Sequence, residues 1–278
     1  MIVNIRGVRG SIPVTGPETA GYGGNTSCAD VSEAGWLLVL DGGSGIQKVT
    51  MPPGFHSRRI DILLTHLHLD HIQGLGFFQP LFDPSMEIHI WGPASSSRTL
   101  HARLSRYLSP PLFPVLIRDL PCKLVLHDIE NSDFEIGPFK IKSRFVIHPG
   151  PTVGFRVESG AFSFCFLPDH EPALGGRGLP SNPNWISGYD LARESSLLYH
   201  DAQYTKPEYA GRMGWGHSSM EDTVSFSKAV GTRHVLLGHH DPGRTDPQLD
   251  ILQRSFDKLN RDDINIDFAR EGTSFRLE

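Results

Sequence analysis

Residues 65–74 read THLHLDHIQG. His66, His68, Asp70 and His71 place three imidazoles and a carboxylate within six residues, directly after the apolar run RIDILL. Side chains at i and i+2 of a strand share a face, so His66 and His68 can grip one metal ion together where the strand ends. Asp70 and His71 follow where the chain turns into a helix, facing the same hollow from the other side. One ion cannot comfortably take all four from so tight a loop. Two ions about 3.5–4 Å apart can, the separation that hydrolytic two-metal sites use. Imidazole and carboxylate without thiolate suit zinc, manganese or iron.

Further ligands must come from elsewhere, best placed at strand ends. His148 closes FKIKSRFVIH, Asp169 closes FSFCFLPD and His239 closes HVLLGH. Each follows an apolar run and precedes a turn, and such positions gather at one edge of a sheet. His89, His101, His127 and His234 lack such company and read as ordinary solvated or hydrogen-bonded residues.

Short runs rich in Ile, Val, Leu and Phe, bounded by Gly, Pro, Asp or Asn, predict strands at MIVNIRG, WLLVLDGG, IDILLTH, EIHIWG and KLVLHD. FKIKSRFVIH, TVGFRVES, FSFCFLPD, SLLYHDA, HVLLGHH, INIDFAR and TSFRLE continue the pattern. Helices are fewer. SMEDTVSFSKAV opens on Ser219 with Asp222 three residues on, a capping box, and stops at Gly231. PQLDILQRSFDKLN carries Leu249, Leu252, Phe256 and Leu259 on one helical face and begins at a proline. SSRTLHARLSRYL and Gly74–Leu81 are two more helical segments. The stretch from His170 to Ser196 is rich in Gly, Pro and Asn, and a loop of that length suits a lid. Sheets that pack on each other with helices outside are the architecture this implies. No linker or repeat divides residues 1–278, so one domain is expected.

The chain has 278 residues, 38% hydrophobic and 21% charged, with a formal net charge of −5. A packed core is within reach, and so acidic a balance excludes a general nucleic-acid coat. Cys28, Cys122 and Cys165 are scattered and read as reduced core residues, with no CxxC spacing for a thiolate zinc site. The start MIVNIRGVRGSIPV lacks a signal-peptide run, and no segment approaches about 20 apolar residues. A cytoplasmic protein without a membrane partner is expected.

THLHLDH is similar to the HxHxDH signature of the metallo-β-lactamase fold hydrolases, and the later order histidine, aspartate, histidine matches over nearly the whole chain. The resemblance implies an α/β (α+β) fold, an αββα sandwich of two mixed sheets flanked by helices, with two metals at the sheets' ends. Carried over, His66, His68 and His148 bind one divalent ion and Asp70, His71 and His239 the other, with Asp169 bridging. Zinc is the expected ion and manganese the alternative. GHHDP leaves His239 and His240 as rivals for the last ligand. His239 is favoured as the first residue beyond the apolar strand, and His240 then points away or contacts substrate. The resemblance also implies that such chains pair as homodimers, which no residue pattern here carries.

DGGSGIQ, from Asp41 to Gln47, looks like the turn of the ribonuclease Z and cyclic phosphodiesterase branch. His200-Asp201-Ala202-Gln203 and His217-Ser218-Ser219 resemble that branch's His-Glu-Ala-Thr and His-Ser-Thr motifs, with aspartate where glutamate is usual. The implied reaction is phosphodiester hydrolysis by a hydroxide held between the metals. Asp70 orients that water or takes its proton. His217, kept charged by Asp201, neutralises the transition state or protonates the leaving alkoxide. Loss of Asp169 or His217 is expected to be severe. Asn25, Thr26 and Ser27 resemble the branch's Asn-Ser-Ser turn, and Asn25, Ser218 and His240 are the expected substrate-binding residues.

Ribonuclease Z carries its RNA-gripping arm between the third-motif histidine and the bridging aspartate. Here His148 to Asp169 reads as one tight hairpin. Together with the acidity, this predicts a small substrate, a cyclic nucleotide or a cyclic phosphate like that of the phosphonate-pathway phosphodiesterase, and no extended nucleic-acid surface. Trp185, Tyr189, Arg177 and Arg193 of the long loop are candidate base or phosphate contacts. The competing readings are a carboxylic ester, lactone or thioester hydrolase on the same site, which His217 and Asp201 disfavour, and a non-hydrolytic or redox protein, which the intact second-metal set disfavours.

Overall fold

The computed structural model describes residues 1–174, 178–257 and 264–278. The first sheet comprises β1 (Ile2–Gly7), β2 (Cys28–Glu33), β3 (Trp36–Leu40), β4 (Arg59–Leu63), β5 (Glu87–Pro93) and β6 (Lys123–Ile129), together with the C-terminal Ser274–Arg276. The second comprises β7 (Ser132–Ile136), β8 (Phe139–Phe145), β9 (Val153–Ser159), β10 (Phe162–Leu167), β11 (Leu197–Asp201), β12 (His234–Gly238) and β13 (Asn265–Phe268). Calling Ser274–Arg276 β14, the orders are β14-β1-β2-β3-β4-β5-β6 and β13-β12-β11-β10-β9-β8-β7. Strands β3 to β6 pair in parallel, as do β10 to β13, and the rest pair antiparallel.

Alternation along the strands builds the layers. Leu38 and Leu40 of β3 join Phe139 and Ile141 of β8 in the core between the sheets. Leu37 and Val39 face the other way, into an apolar layer closed by Leu100 and Leu104 of α2 (Leu100–Leu104). On the far side, Val224 and Phe226 of α5 (Met220–Val230) and Leu249 and Phe256 of α6 (Asp246–Asp257) cover β11, β12 and β13. The result is the expected αββα sandwich, with α1 (Leu69–Ile72), α3 (Tyr189–Ala192) and α4 (Lys206–Tyr209) as single turns between larger elements.

Several elements depart from the sequence reading. CADVSE forms β2 despite its polar residues, because Asp30 is buried against Arg6 and Asn4 of β1. SDFEI forms β7 by pairing with β8. The helix expected over Gly74–Leu81 is two 3₁₀ turns, Leu75–Phe77 and Gln79–Phe82. Pro80 has no N–H to continue an α-helix. Leu259 and Arg177 lie outside the described residues. Ser219 caps α5 as expected, accepting from the Asp222 N–H. The three cysteines are free and buried, and no helix among the described residues is long and apolar enough to cross a membrane.

Candidate metal centre

Ligands in open α/β sheets gather outside the carboxyl ends of the strands, and five strands of this fold end at one rim. His66 follows β4, His148 follows β8, Asp169 follows β10, Asp201 closes β11 and His239 follows β12. The chain enters α1 at Leu69, which brings Asp70 and His71 to the same hollow. Potential ligand atoms of His66, His68, His148 and Asp169 lie within 4.8 Å of one another, as do those of Asp70, His71, Asp169 and His239.

Asp169 belongs to both groups. Its Oδ2 is 3.7 Å from His66 Nε2 and 3.6 Å from His148 Nε2. Its Oδ1 is 3.0 Å from His71 Nε2 and 3.1 Å from His239 Nε2. Asp70 Oδ2 is 3.4 Å from both His71 Nε2 and His239 Nε2, and it accepts the Ser11 N–H at 2.7 Å. The Nε2 atoms of His66, His71 and His239 and Oδ1 of Asp169 are buried without a hydrogen-bond partner. Orphaned buried polar atoms are costly, and a cation between them would remove the cost. The residues therefore fit two divalent ions.

Neighbours aim the rings. Asp41 can only accept, so His71 Nδ1–H donates to its Oδ2, at 2.7 Å, and Nε2 is left as the lone-pair nitrogen. The Thr65 hydroxyl also donates to Asp41, so Thr65 Oγ1 accepts from His66 Nδ1–H at 3.1 Å. His148 Nδ1–H donates to the Gly216 carbonyl at 2.8 Å. Such partners fix tautomer and direction. The Gly216 segment is itself tied down by Glu171, a buried carboxylate accepting from Tyr209 O–H and the Gly214 and Gly216 N–H groups.

Burial pulls His66 well below its ordinary pKa, with His71 adding to the effect. Burial would do the same to His71 and His239. Instead Asp169, Asp70 and Asp41 hold His71 well above the usual value, and Asp169 with Asp70 lifts His239 to about 9. Asp169 is pushed up by burial, yet His239, His71 and His66 together hold it well below the carboxylate range. This buried carboxylate set demands positive charge, which imidazole protons or metal ions can meet.

The two rivals for the last ligand part company at the backbone. His239 sits in the left-handed region at φ 55, which turns its ring into the hollow and sends His240 the other way. Its approach also needs Gly10, where a Cβ would stand 2.4 Å from the His239 ring. His240 is fully buried, donates Nε2–H to the Ala269 carbonyl at 2.9 Å and stacks near Phe268. Its ring presents no exposed surface to the hollow. Nor do the other two expected substrate contacts present free groups. The Ser218 hydroxyl is buried and donates to the His170 carbonyl, while Asn25 is held at both ends by Glu271 and Ser44.

His217 stands beside the cluster, Nδ1 4.0 Å from Asp169 Oδ2, and donates Nδ1–H to Asp201 Oδ2 at 2.7 Å. Asp201 Oδ1 accepts the Gln203 and Ser218 N–H groups, both at 3.1 Å. Tyr189 of the long loop packs into the outer core, Arg193 pairs with Glu194, and Trp185 is exposed. His89 and His127 bond each other, and His234 bonds Asp267, all apart from the centre. Asp41, Thr65 and Glu171 received no role from the sequence. Asp41 was within reach as the first residue of DGGSGIQ, whereas nothing local marks Glu171.

Residues 39–240 match the family described as Beta-lactamase superfamily domain. Ribonuclease Z of Gemmatimonas aurantiaca is 22% identical over 295 residues, covering 90% of both chains. The metallo-beta-lactamase fold protein YhfI from Bacillus subtilis superposes with TM-score 0.70 at 18% identity, covering 99% of this chain and 98% of that one. The short form of human tRNase Z gives TM-score 0.68 at 19% identity, covering 100% of each chain. The two superpositions establish a shared fold.

The relatives overturn one expectation. A small substrate with no extended nucleic-acid surface does not stand beside a relative named ribonuclease that matches over 90% of the chain. The segment between His148 and Asp169 is the tight hairpin of β9 and β10, but one hairpin does not decide which other segments meet a polynucleotide. Net charge sums the whole surface and is silent on the field at one cleft.

Proposed function

The chain belongs to the beta-lactamase superfamily, and from that premise we propose that this metal-dependent hydrolase cuts phosphodiester bonds in an RNA strand. The observation that carries the reading is the His217–Asp201 pair beside Asp169. Asp201 accepts Nδ1–H of His217 at 2.7 Å and leaves Nε2 as the ring nitrogen not engaged by the pair. A proton donor there neutralises a phosphoryl oxygen or protonates a departing alkoxide.

In this reading His66, His68, His148 and Asp169 hold one divalent ion, and Asp70, His71, Asp169 and His239 the other. Zinc suits a donor set of imidazole and carboxylate without thiolate, and manganese is accommodated by the same atoms. When bound, such ions supply Lewis acidity toward the phosphoryl group and make water more acidic. Asp70, fixed by the Ser11 N–H, orients the attacking water and accepts its proton. Asp201 holds the His217 ring in the orientation that leaves Nε2 for the substrate. The name of the Gemmatimonas aurantiaca relative supports RNA as the substrate class.

The test is turnover of bis(p-nitrophenyl) phosphate, a single-stranded RNA oligonucleotide and a lactone by the metal-loaded parent and His217→Ala. Diester cleavage that falls about 100-fold in the variant, with little lactone opening, is expected. A variant that cleaves diesters as fast as the parent, or a parent that prefers the lactone, refutes the proposal.

A further inference from the structure

Beside the centre lies a cleft of about 370 Å³ that the mechanism leaves unused. His66 and His68 reach its inner end, and Pro149–Pro151 form one rim. Its walls include Leu69, Tyr107 and Leu112, with Arg103 and Arg106 alongside. Leu69 is 57% and Leu112 71% exposed. Two apolar side chains so exposed, facing one cleft at a reactive centre, mark a surface that a ligand covers. Tyr107 is pinned by its hydroxyl, which donates to the Gln73 carbonyl at 2.5 Å, so its ring is a fixed wall.

The two arginines differ. Arg103 is committed to Asp128 and the Pro93 carbonyl. Arg106 is exposed and makes no ion pair among the described residues. An unpaired guanidinium next to a centre that binds a phosphodiester is complementary to a second phosphate. A nucleotide with a single phosphate cannot place one at the metals and another here; a strand can.

We infer that this cleft takes the nucleoside flanking the scissile phosphate, its base against Leu69, Tyr107 and Leu112 and the next phosphate on Arg106. The inference rests on the phosphodiesterase reading and adds a subsite to it. Apolar and aromatic walls hold any base by its flat face, so the subsite confers preference for a strand rather than for a sequence.

The experiment compares the metal-loaded parent with Arg106→Ala, Leu112→Ser and a control, Arg118→Ala, whose side chain is 77% exposed and pairs with Asp119. All three positions are exposed, so folding is not at stake. The first readout is the ratio of kcat/KM for a ribohexanucleotide to kcat/KM for bis(p-nitrophenyl) phosphate, which has no flanking phosphate. The ratio is expected to fall about tenfold in Arg106→Ala and in Leu112→Ser, through KM, and to keep the parent's value in Arg118→Ala.

The second readout is fluorescence anisotropy of a labelled phosphorothioate hexaribonucleotide at several salt concentrations. Arg106→Ala is expected to bind about tenfold more weakly and to lower the slope of log Kd against log salt by about 0.7. An Arg106→Ala variant with the parent's ratio, affinity and salt slope overturns the subsite. So does a loss that is equal for both substrates. If the parent cleaves no diester, the phosphodiesterase reading fails, and the anisotropy arm still decides whether the cleft holds a strand.

Discussion

Glu171→Gln tests how the centre is aimed. Oε1 of Glu171 accepts from Tyr209 O–H at 2.5 Å and Gly214 N–H at 3.0 Å, and Oε2 accepts from Gly214 N–H at 3.1 Å and Gly216 N–H at 3.0 Å. Glutamine is nearly the same shape but turns one acceptor into a donor. Whichever way the amide sits, at least one buried O–H or N–H then faces an NH₂ group. An unsatisfied buried donor costs about 1–3 kcal/mol, so the stripped protein should lose about 2 kcal/mol, a fall in Tm of about 5 °C for a chain of this size. The second effect reaches the metals. The Gly216 carbonyl accepts from His148 Nδ1–H, so a loosened segment frees the ring, and loss of such orientation costs 10–100-fold in metal affinity, or about 1.4–2.7 kcal/mol. Zinc titration against a chelator, alongside thermal unfolding of stripped protein, reads both. A variant that unfolds earlier yet binds zinc within twofold of the parent refutes the aiming role. One that matches the parent in both refutes the whole chain of reasoning.

Three further outcomes follow from the same geometry. Asp201→Asn leaves His217 without its anionic partner, and diester kcat should fall about 100-fold with KM little changed, read by steady-state kinetics. Gly238→Ala would set a Cβ 2.1 Å from the Tyr199 ring. Urea unfolding should show a loss of about 1–3 kcal/mol, and zinc binding should weaken because Tyr199 O accepts the His239 N–H. His200 is pulled to about 4 by burial. Above its unfolded pKa near 6.5 it is neutral in both states. As pH falls from 6.5 toward 4, the unfolded chain takes up a proton that the folded chain refuses, so stability drops by about 3 kcal/mol from this group. Urea midpoints of stripped parent and His200→Gln at pH 7 and pH 4.5 should show the variant losing less on acidification.

The strands that carry the centre were legible because their apolar runs end abruptly at His, Asp or Gly, and burial between layers requires that pattern. β2 was hidden because Asp30 reads as loop until Arg6 of the neighbouring strand is placed beside it. Gly74–Leu81 failed because proline and tight packing under the metal loop break the helix into 3₁₀ turns. His66, His68, Asp70 and His71 could be named from spacing, since a motif states which side chains share a turn, whereas His148, Asp169 and His239 were named from their places at strand ends and from the family resemblance. Glu171, by contrast, acts through backbone groups more than forty residues away, and hydrogen bonds of that kind leave no local trace. The substrate was misjudged for a related reason: an arm can be sought in one segment, but a cleft built from Leu69, Arg106, Leu112 and Pro149 is assembled only by folding.

The proposed hydrolysis requires paired divalent ions at Asp169. The most direct measurement is bis(p-nitrophenyl) phosphate turnover as zinc is added back to stripped protein. Turnover is expected to be negligible without the ion and to rise until it levels off near about two equivalents per chain. Turnover that is present in stripped protein and stays flat as zinc is added would contradict that requirement.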